Sequence, residues 1–177
     1  MALAVLNRFL HWMIIGIISP ILVLMILSKG AGIESVGYIM ALLSAFVVIF
    51  ELPSGILSDR MGRKKIYLLS LVIFFLSLIV VLFSHRFITL GIGFSLFGLA
   101  RAFSSGSIES DFVDEHIAKR GKESLHKMIM GMNIGETLGL AIGALIGGLL
   151  PQLWVRLFPT DNMYNGNIIV QMIIIII

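Results

Sequence analysis

Five ionisable side chains interrupt stretches that are otherwise apolar: Glu51, Arg101, Glu109, Asp111 and Glu136. A charge at the centre of a bilayer helix costs about 2.5–3.5 kcal/mol even on the lenient insertion scale, so such residues are kept where they pair, line water or carry an ion. The chemistry open to this set is ion pairing and proton carriage. An acid in a partly dry cavity can take up and release a proton, and Glu51, Glu109, Asp111 and Glu136 are the candidate carriers. Arg101 lies deepest, and its expected place is the lining of a water-filled pathway or opposite an acid on another helix, Glu51 or Glu136. Glu109 follows Arg101 by two helical turns, on the same face, but a rise of about 12 Å leaves them too far apart to pair directly. A structural alternative exists for Glu51, which sits just before Pro53 and could bond to backbone freed by that proline.

A second cluster is the stretch Gly55-Ile-Leu-Ser-Asp-Arg-Met-Gly-Arg-Lys-Lys65, with four cations and one acid between two long apolar runs. Gly55 and Gly62 flank the Asp59-Arg60 pair, as a tight turn requires where the backbone must bend. The spacing predicts a short ionic loop. Orientation alone would not call for two glycines and an acid at these positions.

The elements that must hold these residues follow from composition. Hydrophobic residues are 58% of the 177 and charged residues 13%, with mean hydropathy +1.04, whereas soluble domains average about 45–50% apolar and about 25% charged. The runs between charge clusters are about 20 residues, enough to cross a hydrocarbon core of about 30 Å. The chain therefore reads as an all-α, multi-pass membrane protein. The first run is of spanning length and lacks a small-residue cleavage site, so it reads as a span and not a signal peptide. No cysteine is present, which excludes disulfides and thiolate metal sites. No His or acid cluster has metal-ligand spacing, Met128, Met130 and Met132 read as flexible filling, and no catalytic constellation stands out, so neither a metal, another cofactor nor an enzyme is expected.

Five complete spans are expected at about 9–28, 35–57, 66–84, 87–110 and 128–150. Pro20 is expected to kink the first, and His11-Trp12 suits the interfacial belt. A hydrophilic stretch from Glu115 to Lys127 is expected to separate spans four and five. After Pro151 a link carrying Trp154, Arg156, Phe158 and Pro159 leads to a sixth apolar run, 167–177, which at eleven residues is too short to cross and is expected to be truncated. Span five carries Gly131, Gly135, Gly139, Gly143 and Gly147 at a constant spacing of four, with Gly148 beside the last. Small residues at that spacing permit close helix approach, and Gly139, Gly143, Gly147 and Gly148 are the expected packing positions.

Nine of the thirteen Lys and Arg residues fall on one side of this topology: Arg8, the four of the Gly55–Lys65 stretch, and Lys119, Arg120, Lys122 and Lys127. Lys29, Arg86 and Arg156 fall on the other. The cation-rich side is expected to be cytoplasmic, with the N-terminus, in a cell (plasma or inner) membrane. This asymmetry accounts for the net charge of +3, and no nucleic-acid partner is expected.

Gly55-x-Leu57-Ser58-Asp59-Arg60-x-Gly62-Arg63-Lys64 resembles the signature of the major facilitator superfamily between its second and third helices, G-x-L-A-D-R-x-G-R-K. Glu51-Leu-Pro-Ser-Gly55 and Arg101-Ala-Phe-Ser-Ser-Gly-Ser-Ile-Glu109 resemble patterns of its efflux-type members, and Arg101 falls where the family often has an intramembrane arginine. Gly139-x-x-x-Gly143-Ala144-x-x-Gly147-Gly148 is similar to the antiporter motif, with Ala144 in place of its proline. The resemblance implies the N-terminal six-helix bundle of a major facilitator fold, with the C-terminal bundle absent and a second half or second chain required. It further implies alternating access, Asp59 as a latch on the cytoplasmic side, and Arg63 meeting an acid, Asp114. The function implied is proton-driven efflux of a small amphipathic substrate. The alternatives are an uptake carrier for a sugar or metabolite, and a non-transporting membrane protein that binds another subunit through its glycine face.

Overall fold

In lipid every backbone polar group must be satisfied internally, which forces apolar spanning runs into helix. The computed structural model of the chain describes residues 2–105, 107–122, 124–159 and 162–176, with no strand among the described residues. The helices are α1 (Ala2–Ile18), α2 (Leu22–Ser28), α3 (Ile33–Met61), α4 (Arg63–Leu82), α5 (Phe87–Ser104), α6 (Ser107–Arg120), α7 (Leu125–Leu157) and α8 (Asn165–Ile176), with a 3₁₀ turn over Ser19–Ile21 between α1 and α2. Five segments are long and apolar enough to cross a membrane: Ala2–Ser28, Ile33–Met61, Arg63–Leu82, Phe87–Lys119 and Leu125–Leu157; Asn165–Ile176 is shorter. Gly106 of the Arg101–Glu109 pattern and Ile177 of the last run lie outside the described residues, as does the side chain of Arg120.

Several sequence expectations change here. The Gly55–Lys65 stretch is not a loop. α3 continues through Gly55 to Met61 and α4 starts at Arg63, so one residue, Gly62, makes the whole turn. Its φ of 97° is open to glycine at no steric cost. Its N–H donates to Ser58 O at 3.0 Å, and its own carbonyl accepts from Lys65 N at 3.1 Å. Gly55 has open space around it, so no turn or close approach requires it to be glycine. Pro151 does not end its helix either, since α7 runs six residues past it to Leu157. The hydrophilic stretch after Glu115 is mostly helix, and the turn comes at Gly121, with φ 70°.

Contacts divide the chain into two compact units, Met1–Met25 with Phe112–Ile177, and Ile26–Asp111. In the Ile26–Asp111 unit α5 packs on both α3 and α4. Gly98 admits the Leu43 carbonyl of α3, Phe97 stacks on Phe74 of α4 at 4.8 Å, and Ser54 Oγ lies 2.9 Å from Ala102 O. The link before α3 contributes an element that charge counting missed. Lys29 is buried, 3% exposed, and its ammonium donates to Leu82 O at 2.9 Å. It thereby meets one of the carbonyls that a helix C-terminus leaves without a donor.

Burial pulls the Lys29 ammonium down from the ordinary 10.5 to about 8. Lys29 lies between the first two spanning segments, within reach of a titration. Between these two values the unfolded chain holds the proton and the folded chain has released it, so stability rises with pH across that window. Below it both states are protonated and the burial cost is felt in full. The neutral amine still donates to Leu82, so the bond survives the titration. Melting of the purified protein in detergent on either side of the window is expected to show this rise, and Lys29→Met to flatten it; an unchanged rise in the variant would reassign it.

In the other unit α7 lies along α1, and α8 packs on both. The glycine spacing of four on α7 is matched by Val5, Phe9, Met13 and Ile17 on α1. A Cβ at Gly139, Gly143 or Gly147 would collide with the backbone oxygen of Phe9, Met13 or Ile17 respectively, and one at Gly135 would come within 2.9 Å of Val5 O. The approach is reciprocal: a Cβ on Gly16 of α1 would lie 3.0 Å from the Cα of Gly143. Backbones this close exchange dispersion contacts along their length, the main attraction available between apolar helices in lipid. Gly148 stands in open space, a correction to its expected packing role, because the residue after Gly147 points about 100° round the helix. The stripe is thus occupied by α1 and is not a free face for another subunit.

Candidate functional site

α1 carries one formal charge, Arg8, and α7 one acid, Glu136. The packing of α1 on α7 brings them together. Arg8 Nε donates to Glu136 Oε2 at 3.0 Å and Arg8 Nη2 lies 2.7 Å from the same oxygen, with the two side chains 23% and 28% exposed. Both donors converge on one carboxylate oxygen, in an ion pair shielded from most but not all water. One turn along α1, the Trp12 ring lies under the guanidinium, 5.9 Å from its carbon to the ring centroid, a distance at which the ring quadrupole attracts a cation. The Trp12 indole N–H is buried with no hydrogen-bond partner among the described residues. His11 meets the same ring edge-on at 6.5 Å.

Beside Glu136, α7 presents His126, Met130, Asn133 and Thr137 along one face. They line an open groove of about 500 Å³ with Ile129, Ile134 and Leu138. The groove is mostly hydrocarbon with a few amide, hydroxyl and imidazole groups, a surface suited to amphipathic molecules.

Glu136 therefore has Arg8 as its partner, where Arg101 was one expected partner. Arg101 is exposed on the last turn of α5 and has no ion pair among the described residues. Arg101 and Glu109 are not on one helix: α5 closes at Ser104, with Ser105 extended, and Glu109 belongs to α6. Glu51 is exposed on α3, and the local bond beside Pro53 is made by Ser54 Oγ, 2.9 Å from Glu51 O, not by the Glu51 carboxylate. Asp111 and Glu109 are half-buried and Asp114 exposed on α6. Asp59, Arg60 and Lys64 are exposed around Gly62, and Arg63 is half-buried as the first residue of α4. Arg8 was missed as a site residue because it was counted only as an orientation signal. A lone base and a lone acid on two apolar helices were the available clue.

The Major Facilitator Superfamily model matches residues 4–160. The chain belongs to the Major Facilitator Superfamily. It is 37% identical over 82 residues to an "Uncharacterized transporter" of Buchnera aphidicola subsp. Schizaphis graminum (strain Sg), a match covering 43% of this chain and 21% of that protein. It is 40% identical over 55 residues to the "Uncharacterized MFS-type transporter YxaM" of Bacillus subtilis (strain 168), covering 31% of this chain and 14% of that one. The matches thus span about a fifth and a seventh of these curated relatives. No solved structure matches. The family, the all-α architecture and the five long apolar segments together make this superfamily member a multi-pass membrane protein.

Proposed function

We propose that this chain is the N-terminal bundle of a secondary active carrier that exports small amphipathic compounds by alternating access, driven by inward proton flow, with Arg8 and Glu136 as the coupling pair. The observation that carries this reading is the ion pair joining α1 to α7 within otherwise apolar helices. With Glu136 ionised, its carboxylate holds the Arg8 guanidinium and the two helices are tied. A proton on Glu136 removes that attraction, so proton binding is converted into a loosened contact between two helices. The groove on α7 supplies an apolar surface with hydrogen-bonding groups on which an amphipathic substrate could lie. The N-terminus and the α3–α4 turn face the cytoplasm in this reading, where Asp59 latches onto a C-terminal half or second chain that completes the pathway.

The test uses inverted vesicles from cells that express the intact protein. Addition of substrate is expected to drive proton movement. Glu136→Gln keeps the shape and removes the acid, so coupled proton movement is expected to fall at least tenfold while downhill substrate exchange persists. Asp59→Asn slows both alike with insertion intact. Wild-type proton movement in Glu136→Gln would overturn the coupling role, full transport in Asp59→Asn would remove the latch, and inward substrate flux would replace export by uptake.

A further inference from the structure

α7 passes through Pro151 as continuous helix. Proline has no N–H, so the carbonyl four residues earlier, that of Gly147, loses its intrahelical donor. In a membrane helix a bare carbonyl is costly. This one is met from outside the helix: Asn167 Nδ2 on α8 donates to Gly147 O at 2.8 Å. The same nitrogen lies 3.2 Å from Ile17 O of α1, two residues before the 3₁₀ turn that carries Pro20. Ile17 is also the residue on which Gly147 packs. One side-chain amide therefore touches the backbone at both proline irregularities, in α1 and in α7.

Asn167 is fully buried, as is Gln171 one turn later, and Gln171 Nε2 donates to Ile14 O of α1 at 2.8 Å. The remaining oxygens, Asn167 Oδ1 and Gln171 Oε1, are buried without a hydrogen-bond partner. Two carboxamides held at that cost, on a helix otherwise made almost wholly of Ile and Val after Asn167, are there for their donors and not for their packing.

We propose that Asn167 is the pin of a composite joint: its carboxamide supplies the donor that Pro151 removes from α7 and ties that point to α1 beside its own proline break, so that the two helices bend as one. Gln171 braces α1 one turn away but does not serve Pro151.

This proposal makes a specific demand on a double-mutant cycle. Pro151→Ala restores an N–H able to reach Gly147 O, which makes the Asn167 donor redundant for that oxygen. Asn167→Leu alone is expected to lower the melting temperature of the purified full-length protein in detergent, or to prevent its accumulation. In the Pro151→Ala background the loss shrinks to less than half, or accumulation returns. Gln171→Leu serves as the control, because its loss is the same with either residue at position 151. Equal losses for Asn167→Leu in both backgrounds, or a double variant that accumulates no better than the single one, would overturn the assignment. The bending role rests on the carrier reading and is measured separately. Pro151→Ala, folded and stable, is expected to transport several-fold more slowly in vesicles. Full-rate transport there removes the hinge while leaving the bond replacement standing.

Discussion

Gly147→Ala is expected to destabilise the protein markedly, while Gly148→Ala, one residue on, leaves it unchanged. The reason is local and geometric. A methyl at Gly147 would be driven into the backbone oxygen of Ile17, whereas the same methyl at Gly148 meets nothing within 4 Å. Inserting even one carbon into a close-packed contact costs about 1–3 kcal/mol. The upper part of that range applies here, because the obstruction is helix backbone and cannot rotate away as a side chain would. Gly139 and Gly143, against Phe9 and Met13, should behave as Gly147 does, and Val at any of the three should stop the folded protein from accumulating. Thermal stability read by size-exclusion chromatography after heating would show the contrast between positions 147 and 148. Equal losses at the two sites would mean that α1 does not approach α7 along this stripe.

Reversing one charge of the Arg8–Glu136 pair is the second large effect. Arg8→Glu places two carboxylates where a carboxylate and a guanidinium now lie 2.7 Å apart. The double variant Arg8→Glu/Glu136→Arg restores opposite signs. Leaving a buried hydrogen-bonding group without its partner costs about 1–3 kcal/mol, and more where the group is charged. The value for a wholly dry pair would be higher, but about a quarter of each side chain is exposed here and water screens the remainder. The single reversal is expected to lose at least this much, and the exchanged pair to recover half or more of it. An exchanged pair no more stable than the sum of its two single variants would show that the ion pair adds nothing to folding, whatever its part in transport.

Much of the architecture was legible in the residues themselves. An apolar fraction of 58% in runs of membrane length leaves the backbone no alternative to helix, so the number of long segments followed directly. The spacing of four from Gly131 to Gly147 showed which face of α7 lies close to a neighbour, because residues four apart stack on one face. The Gly55–Lys64 pattern carried the family, and Gly62 within it carried the turn. Periodicity reports a face and not its partner, however. That α1 fills the stripe, with Gly16 opposite Gly143, depends on residues more than a hundred positions apart. The Arg8–Glu136 pair joins residues separated by 128 positions and is invisible to any local rule.

The same limit explains where local rules failed. Two glycines flanking charges suggested a loop, yet an isolated glycine such as Gly55 is tolerated inside a helix at a cost of about 1 kcal/mol. A proline is expected to end or kink a helix because it strips a carbonyl of its donor. α7 continues through Pro151 because Asn167, from a helix eight residues beyond the end of α7, provides another donor. Hydropathy and spacing determined how many long apolar segments this chain forms and which faces are smooth enough to touch. Tertiary structure alone decided which charges meet and which broken hydrogen bonds are repaired, because each of those bonds needs two partners that only folding brings together.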